Sequence, residues 1–175
     1  MARLLAVSEP RPQSRERAFL LVGLIERSFH DHALDQLDSL LDPNLVVHGP
    51  FPMEQGAEAF KRTLAATRQA FPDMHIEIED GAVREGLVFR RWRMTGTHDG
   101  EFLGIAPTGR RVQLSGVDIE RIQDDRVVEH WTYWDRMSLA EQLGAPGVPL
   151  RPDPTEAGEP PETPRRRAEV PLDSP

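Results

Sequence analysis

The 175-residue chain contains no cysteine, which excludes a disulfide scaffold, thiolate catalysis and cysteine-ligated zinc together. Any chemistry must use oxygen and nitrogen groups. A long hydrophobic run is also missing: the longest, Ala18 to Ile25, is eight residues interrupted by Gly23, against the ~20 that span a bilayer. Charges and two prolines, Pro10 and Pro12, stand where a signal peptide needs its apolar centre and cleavage site, so the expected location is cytoplasmic, without membrane association. Basic charge is scarce too. With 21 basic against 29 acidic side chains the net charge is -8, a poor match for nucleic acid or an anionic membrane. A small neutral or apolar molecule suits the chain better as a partner.

Aromatic residues are few and absent from residues 145–175, which hold nine of the sixteen prolines and the basic run Arg165 to Arg167. Such a segment buries too little apolar surface to offset the entropy of ordering it, and it is expected to be a disordered tail. Residues 1–12 are expected to be flexible as well. This leaves one domain over 13–144, a size that supports a single core.

Within that domain, Ser14 is a candidate N-cap. Ala18, Leu21, Val22, Ile25 and Phe29 follow at helical spacing. Leu34, Leu37, Leu40 and Leu41 predict a second short helix that stops before Pro43. Leu45 to His48 is a short β-like run closed by Gly49-Pro50 and Pro52. A third helix is expected after Gly56, with Phe60, Leu64 and Phe71 on one face. From residue 74 onward the period drops to two, in Met74, Ile76, Ile78 and then Val88, Trp92, Met94. Hairpin tips are expected at Glu85-Gly86 and at Gln123 to Arg126, the latter between strands near 111–122 and 126–134. The apolar phase slips from Val112 and Leu114 to Val117 and Ile119, which reads as a β-bulge beside Ser115-Gly116. Together these elements predict an α+β fold in which a curved sheet and its helices leave a hollow between them.

Gly96-Thr97-His98-Asp99-Gly100-Glu101-Phe102-Leu103-Gly104-Ile105, Pro107-Thr108-Gly109-Arg110, Val127-Val128-Glu129-His130-Trp131 and Trp134-Asp135 carry a resemblance to the SnoaL-like polyketide cyclases, or ester cyclases, of the NTF2-like superfamily. Val47-His48 and Phe71-Pro72-Asp73-Met74 fit the same resemblance, which covers residues 15 to 144. It implies a cone in which a curved antiparallel or mixed sheet wraps N-terminal helices around a pocket. It also implies a homodimer, and ring closure of a polyketide ester by intramolecular aldol condensation with an aspartate as acid/base, no metal and no cofactor. Asp135 is the matching aspartate. Two departures are local: Asp124-Asp125 replaces the Asp-Gly common in relatives, and Thr132 replaces an acidic residue that many carry after the tryptophan.

For Asp135 two roles compete, acid/base catalyst and N-cap of the last helix. Ser138-Leu139-Ala140-Glu141 is a capping box that would release Asp135 from capping, and strand alternation sets it with Glu129, Trp131 and Tyr133, where two rings would desolvate it. His48 either caps its strand or faces the substrate and orients a carbonyl. Trp131, Tyr133, Phe51 and Phe102 are candidate pocket walls. His98 is a candidate substrate contact or a turn residue satisfied by backbone. By phase, Trp131 faces the pocket and Trp134 the other side. The six histidines are scattered and lack metalloprotease spacing, so no metal is expected. Arg90, Arg91 and Arg93 read as an ion-paired sheet face with Asp118 and Glu120 as partners. The alternatives to a cyclase are an isomerase, dehydratase or epoxide hydrolase on the same fold, or a non-catalytic small-molecule-binding dimer.

Overall fold

The computed structural model describes Gly23, residues 33–50 and residues 53–145. Apart from helical Gly23, the expected first helix lies outside these residues, as do residues 1–12, His30, His32, Phe51 and the tail beyond Ala145. The described elements are a 3-10 helix (Leu34–Ser39), β1 (Leu41–His48), α1 (Ala57–Ala70), β2 (His75–Arg84), β3 (Leu87–Thr97), β4 (Arg111–Gln123), β5 (Arg126–Trp134) and α2 (Arg136–Leu143). They form an α+β structure around one five-stranded mixed sheet in the order β1-β5-β4-β3-β2. β1 is parallel to β5, and the other pairs are antiparallel.

The hairpin tips fall at the expected dipeptides. Glu85 and Gly86 have φ of 52° and 77°, and Asp124 and Asp125 have 47° and 61°, the left-handed pair that matches the twist of a tight hairpin. The second short helix is instead a 3-10 turn that gives way to strand at Leu41. β1 lies at the sheet edge, its register shifts between Leu41 and Val46, and an irregular edge is where a strand tolerates Pro43. Two glutamines finish incomplete ladders. Gln55 accepts from Val47 N–H (2.8 Å) and donates to Val47 C=O (3.0 Å), while Gln142 of α2 does the same for Gln113 (2.7 and 2.9 Å) beyond the end of β5.

The helices pack on one face of the sheet, here called inner. One cluster joins Leu37, Leu41, Leu45, Val47, Ala57, Phe60, Val83, Val88 and Val127. A second joins Ala70, Phe71, Met74, Met94, Ile105, Val112, Leu114 and the α2 residues Leu139, Ala140 and Leu143. Even-numbered residues of β3 and β4 point inward along their main run, since Val88, Arg90 and Met94 are buried, as are Val112, Leu114, Gly116 and Glu120.

That phase removes the expected bulge at Ser115-Gly116. β3 and β4 pair without interruption from Leu87↔Arg121 to Thr97↔Arg111, and the register shifts lie at Ile78/Asp80 and Arg121/Ile122. The apolar pattern slips because the inner face itself turns polar at Asp118 and Glu120, while Val117 and Ile119 point out. Tryptophan phase is corrected with it: Trp134 pairs with Gly116 and packs on the second cluster, and Trp131 lies on the outer face.

Gly116 is the small residue between Trp92 and Trp134, paired with both. A Cβ there would overlap the Trp92 ring atoms Cζ2 and Cε2. Gly116→Ala should therefore force Trp92 aside and cost about 1–3 kcal/mol, the range for overpacking. A melting temperature lower by at least about 3 °C, with a shifted Trp92 indole signal, checks this.

Candidate functional site

Between the two apolar clusters the inner face carries a polar belt. In one row Arg90, Asp118 and Thr132 are aligned across β3, β4 and β5. In the next, Val88, Glu120, His130 and Val47 are aligned across β3, β4, β5 and β1. Trp92 closes the belt on one side. Glu120 is only 2% exposed and is bound by the Arg90 guanidinium, which also lies 3.5 Å from Asp118 Oδ2. His130 Nδ1 stands 3.6 Å from Glu120 Oε1, long for a direct hydrogen bond, and its ring packs on Phe60 of α1 at 4.9 Å. Among the described residues, the buried belt atoms Trp92 Nε1, Asp118 Oδ1 and Glu120 Oε2 have no hydrogen-bond partner. Orphaned polar atoms carry a desolvation cost, and a substrate carbonyl or hydroxyl is the kind of group that satisfies them.

Burial alone would raise the Glu120 carboxyl. His130 and Arg90 outweigh it and hold the group below the ordinary carboxylate range, so the buried side chain is ionised. His98 shows the opposite balance: burial pushes its imidazole below the usual range, and Asp99 resists only in part.

The expected site residues do not converge on this belt. His48 and Trp131 do meet, stacked at 5.1 Å and 9°, but on the outer face. There His48 Nε2 donates to Glu129 Oε1 (2.9 Å), Arg121 Nε donates to Glu129 Oε2 (3.0 Å), and the Arg121 guanidinium lies 5.5 Å from the Trp131 ring centre. Tyr133 is 54% exposed on the same face. Asp135 is exposed and is the N-cap of α2, accepting from Ser138 N–H at 3.0 Å. The capping box expected at Ser138 is thereby corrected, because the helix starts at Arg136 and Ser138 already lies within its first turn. Phe102 packs edge-on against Phe71 at 5.2 Å beside the second cluster. His98 is fully buried against Phe71, with Nδ1 3.1 Å from Thr108 Oγ1. Its backbone carbonyl accepts from Thr108 and Gly109, so it pins the loop before β4.

The sequence pattern of the SnoaL-like polyketide cyclases matches residues 19–143. The chain belongs to this family. It is 30% identical over 141 residues to aklanonic acid methyl ester cyclase DauD of Streptomyces sp. strain C5, covering 79% of this chain and 83% of that protein. Among solved structures it is similar to TsrD from Streptomyces laurentii (26% identity, 75% and 97% of the two chains, TM-score 0.68). It is also similar in fold to a SnoaL-like polyketide cyclase from Agrobacterium tumefaciens (22% identity, 73% and 98%, TM-score 0.62).

In this member of the SnoaL-like family Arg90, Asp118 and Glu120 were visible in sequence only as an ion-paired set. The pairing of Arg90 with Asp118 and Glu120 holds, but the three residues lie inside, whereas Arg91 and Arg93 pair with Glu79 on the outer face. The signal available was the phase slip itself: two acids at i and i+2 continuing the inward phase of Val112 and Leu114.

The protein should lose stability in acid in two stages. His98 has a lowered value in the fold, so its contribution is complete above its ordinary 6.5 and is lost as pH falls below that. Glu120, also lowered, contributes fully above 4.5 and loses that contribution as pH falls further. Urea midpoints measured from pH 8 to 4 should show the first decline reduced in His98→Asn. An unchanged decline would assign it to other groups.

Proposed function

We propose that this SnoaL-like cyclase closes a ring in a polyketide-type ester by intramolecular aldol chemistry without a cofactor, and that Asp118 carries the proton. One observation carries this reading. Asp118 Oδ1 is a buried acceptor without a hydrogen-bond partner among the described residues, set between two apolar clusters on the sheet face against which the helices pack. The relative DauD is by name a cyclase of aklanonic acid methyl ester, and an ester of that class is the proposed substrate. Its apolar body suits the flanking clusters, and its carbonyls suit the belt.

In the proposed reaction Asp118 Oδ1 takes a proton from the carbon between two carbonyl groups. The enolate carbon attacks a second carbonyl of the same molecule, and the resulting alkoxide takes the proton back from Asp118. Atoms and charge balance without another reactant. The Trp92 indole N–H is the donor available to a developing oxyanion, worth several kcal/mol in a water-poor site. Thr132, paired with Asp118, stands where many relatives carry an acid, so in this chain the acid of that row sits on β4 instead of β5. Asp135 was the expected proton carrier, and its exposure and capping bond support a structural role instead. The isomerase, dehydratase and epoxide hydrolase alternatives are not favoured by the family match.

Turnover of aklanonic acid methyl ester separates the two aspartates. Asp118→Asn should lower it by the roughly 10²–10⁴ that general acid-base catalysis contributes, while Asp135→Asn retains it, because asparagine caps a helix as well as aspartate does. The reverse result would return the role to Asp135. Binding without turnover in any variant, wild type included, would favour the non-catalytic reading.

The outer face supports a homodimer. Val117 (38% exposed) pairs with Tyr133 (54%), and Ile119 pairs with Trp131. This apolar strip is flanked by the Arg121–Glu129 and Arg91–Glu79 ion pairs, the core-and-rim composition of an interface. Light scattering at micromolar concentration should give twice the 19.8 kDa chain mass, and Tyr133→Asp should return the monomer. A wild-type monomer would remove the proposal.

A further inference from the structure

The buried Glu120 is not needed to satisfy the proposed reaction, and burying a carboxylate there is costly unless it is paired. The charged groups that face Asp118 from the sheet are Arg90 on β3, Glu120 on β4 and His130 on β5. From α1, Phe60 covers His130, and Arg68 of the same helix is half-buried. Lys61 and Arg62 pair away from the belt, with Asp38 and Glu58, and with Glu54. On β2, Glu79 is engaged by Arg91 and Arg93. Arg90 is therefore the sheet cation at Asp118, and it is shared unequally. Its guanidinium is in close contact with Glu120 but 3.5 Å from Asp118 Oδ2.

A guanidinium fully committed to Asp118 would stabilise the carboxylate and make it a poorer base for a carbon acid. We infer that Glu120 is a positioning residue: by occupying Arg90 it holds the cation off Asp118 and keeps that carboxylate basic enough to remove the substrate proton. The inference rests on the proposed role of Asp118. Arg90 orients and Glu120 restrains; neither exchanges a proton in the cycle. His130, 3.6 Å from Glu120 on the side of β5, completes the restraint and leaves Arg90 bridging two carboxylates in adjacent rows.

Glu120→Gln keeps the shape of the side chain and removes its charge. With the restraint gone and one negative neighbour lost, the Asp118 carboxylate is stabilised. The acid limb of kcat/KM for aklanonic acid methyl ester should then move to lower pH by at least about half a unit, and kcat should fall at least about 10-fold with KM little changed. Glu120→Asp, which restores the charge, should return the limb towards the wild-type position. In the absence of substrate, the carboxyl carbon signal of Asp118 should turn over at lower pH in Glu120→Gln than in the wild type. Thermal melts of each variant identify loss of folded protein. If Glu120→Gln is folded and neither the limb nor the carboxyl signal moves, Glu120 is structural and the inference is overturned. If Asp118→Asn keeps full turnover while the carboxyl signal still moves in Glu120→Gln, the charge coupling stands and the assignment of the proton to Asp118 is what fails.

Discussion

A carboxylate that loses water needs a counter-charge, and Glu120 finds its counter-charge in Arg90 on the neighbouring strand. The rest of the site follows from that pair. It fixes the inward phase of β3 and β4 in the middle of the sheet, where hydrophobic burial alone would have preferred Val117 and Ile119 on the inside. Holding Arg90 inward also brings its guanidinium to Asp118, one row away. Removing Arg90 would leave the Glu120 carboxylate without its guanidinium between two apolar clusters, a change of several kcal/mol, whereas removing the Glu120 charge leaves Arg90 with Asp118 as its partner.

The two clusters serve the belt in turn. α1 reaches both, with Ala57 and Phe60 at one end and Ala70 at the other, and so it spans the polar rows between them. α2 is docked by Leu139, Ala140 and Leu143 and by the Gln142 amide on Gln113, with Asp135 fixing its start. Asp135 thus acts through the backbone, joining the last strand to the helix that closes the second cluster. Gly116 has an equivalent role within the sheet, because only the absence of a side chain lets Trp92 lie across β4 beside the belt.

The outer face has a separate logic. His48, Trp131, Glu129 and Arg121 make a connected array of stacking and ion pairing, next to the exposed Val117 and Tyr133. Of the residues singled out in sequence, His48, Trp131 and Tyr133 share this face, while Asp135 caps α2 and His98 and Phe102 pack on Phe71. An aromatic and a histidine at paired strand positions report only that they share a face. Which face that is depends on where the helices pack.

Local physics accounts for what the sequence alone determined. The alternation in β2 and β3, the Glu85-Gly86 and Asp124-Asp125 turns, the helix after Gly56 and the family resemblance rest on neighbours within a few residues, and these survive intact in the fold. The ion pairing of Arg90 with Asp118 and Glu120 was legible as well, since opposite charges on adjacent strands attract on either face. The side of the sheet was decided by tertiary structure. A strand with polar residues inside and apolar residues outside has the same period as the reverse, so the Val117 to Ile122 stretch reads equally well both ways until α1 and α2 cover one face. The cap at Asp135 was settled the same way: Asp135 and Ser138 are both good caps locally, and the choice followed from where β5 ends and α2 must turn to reach the second cluster.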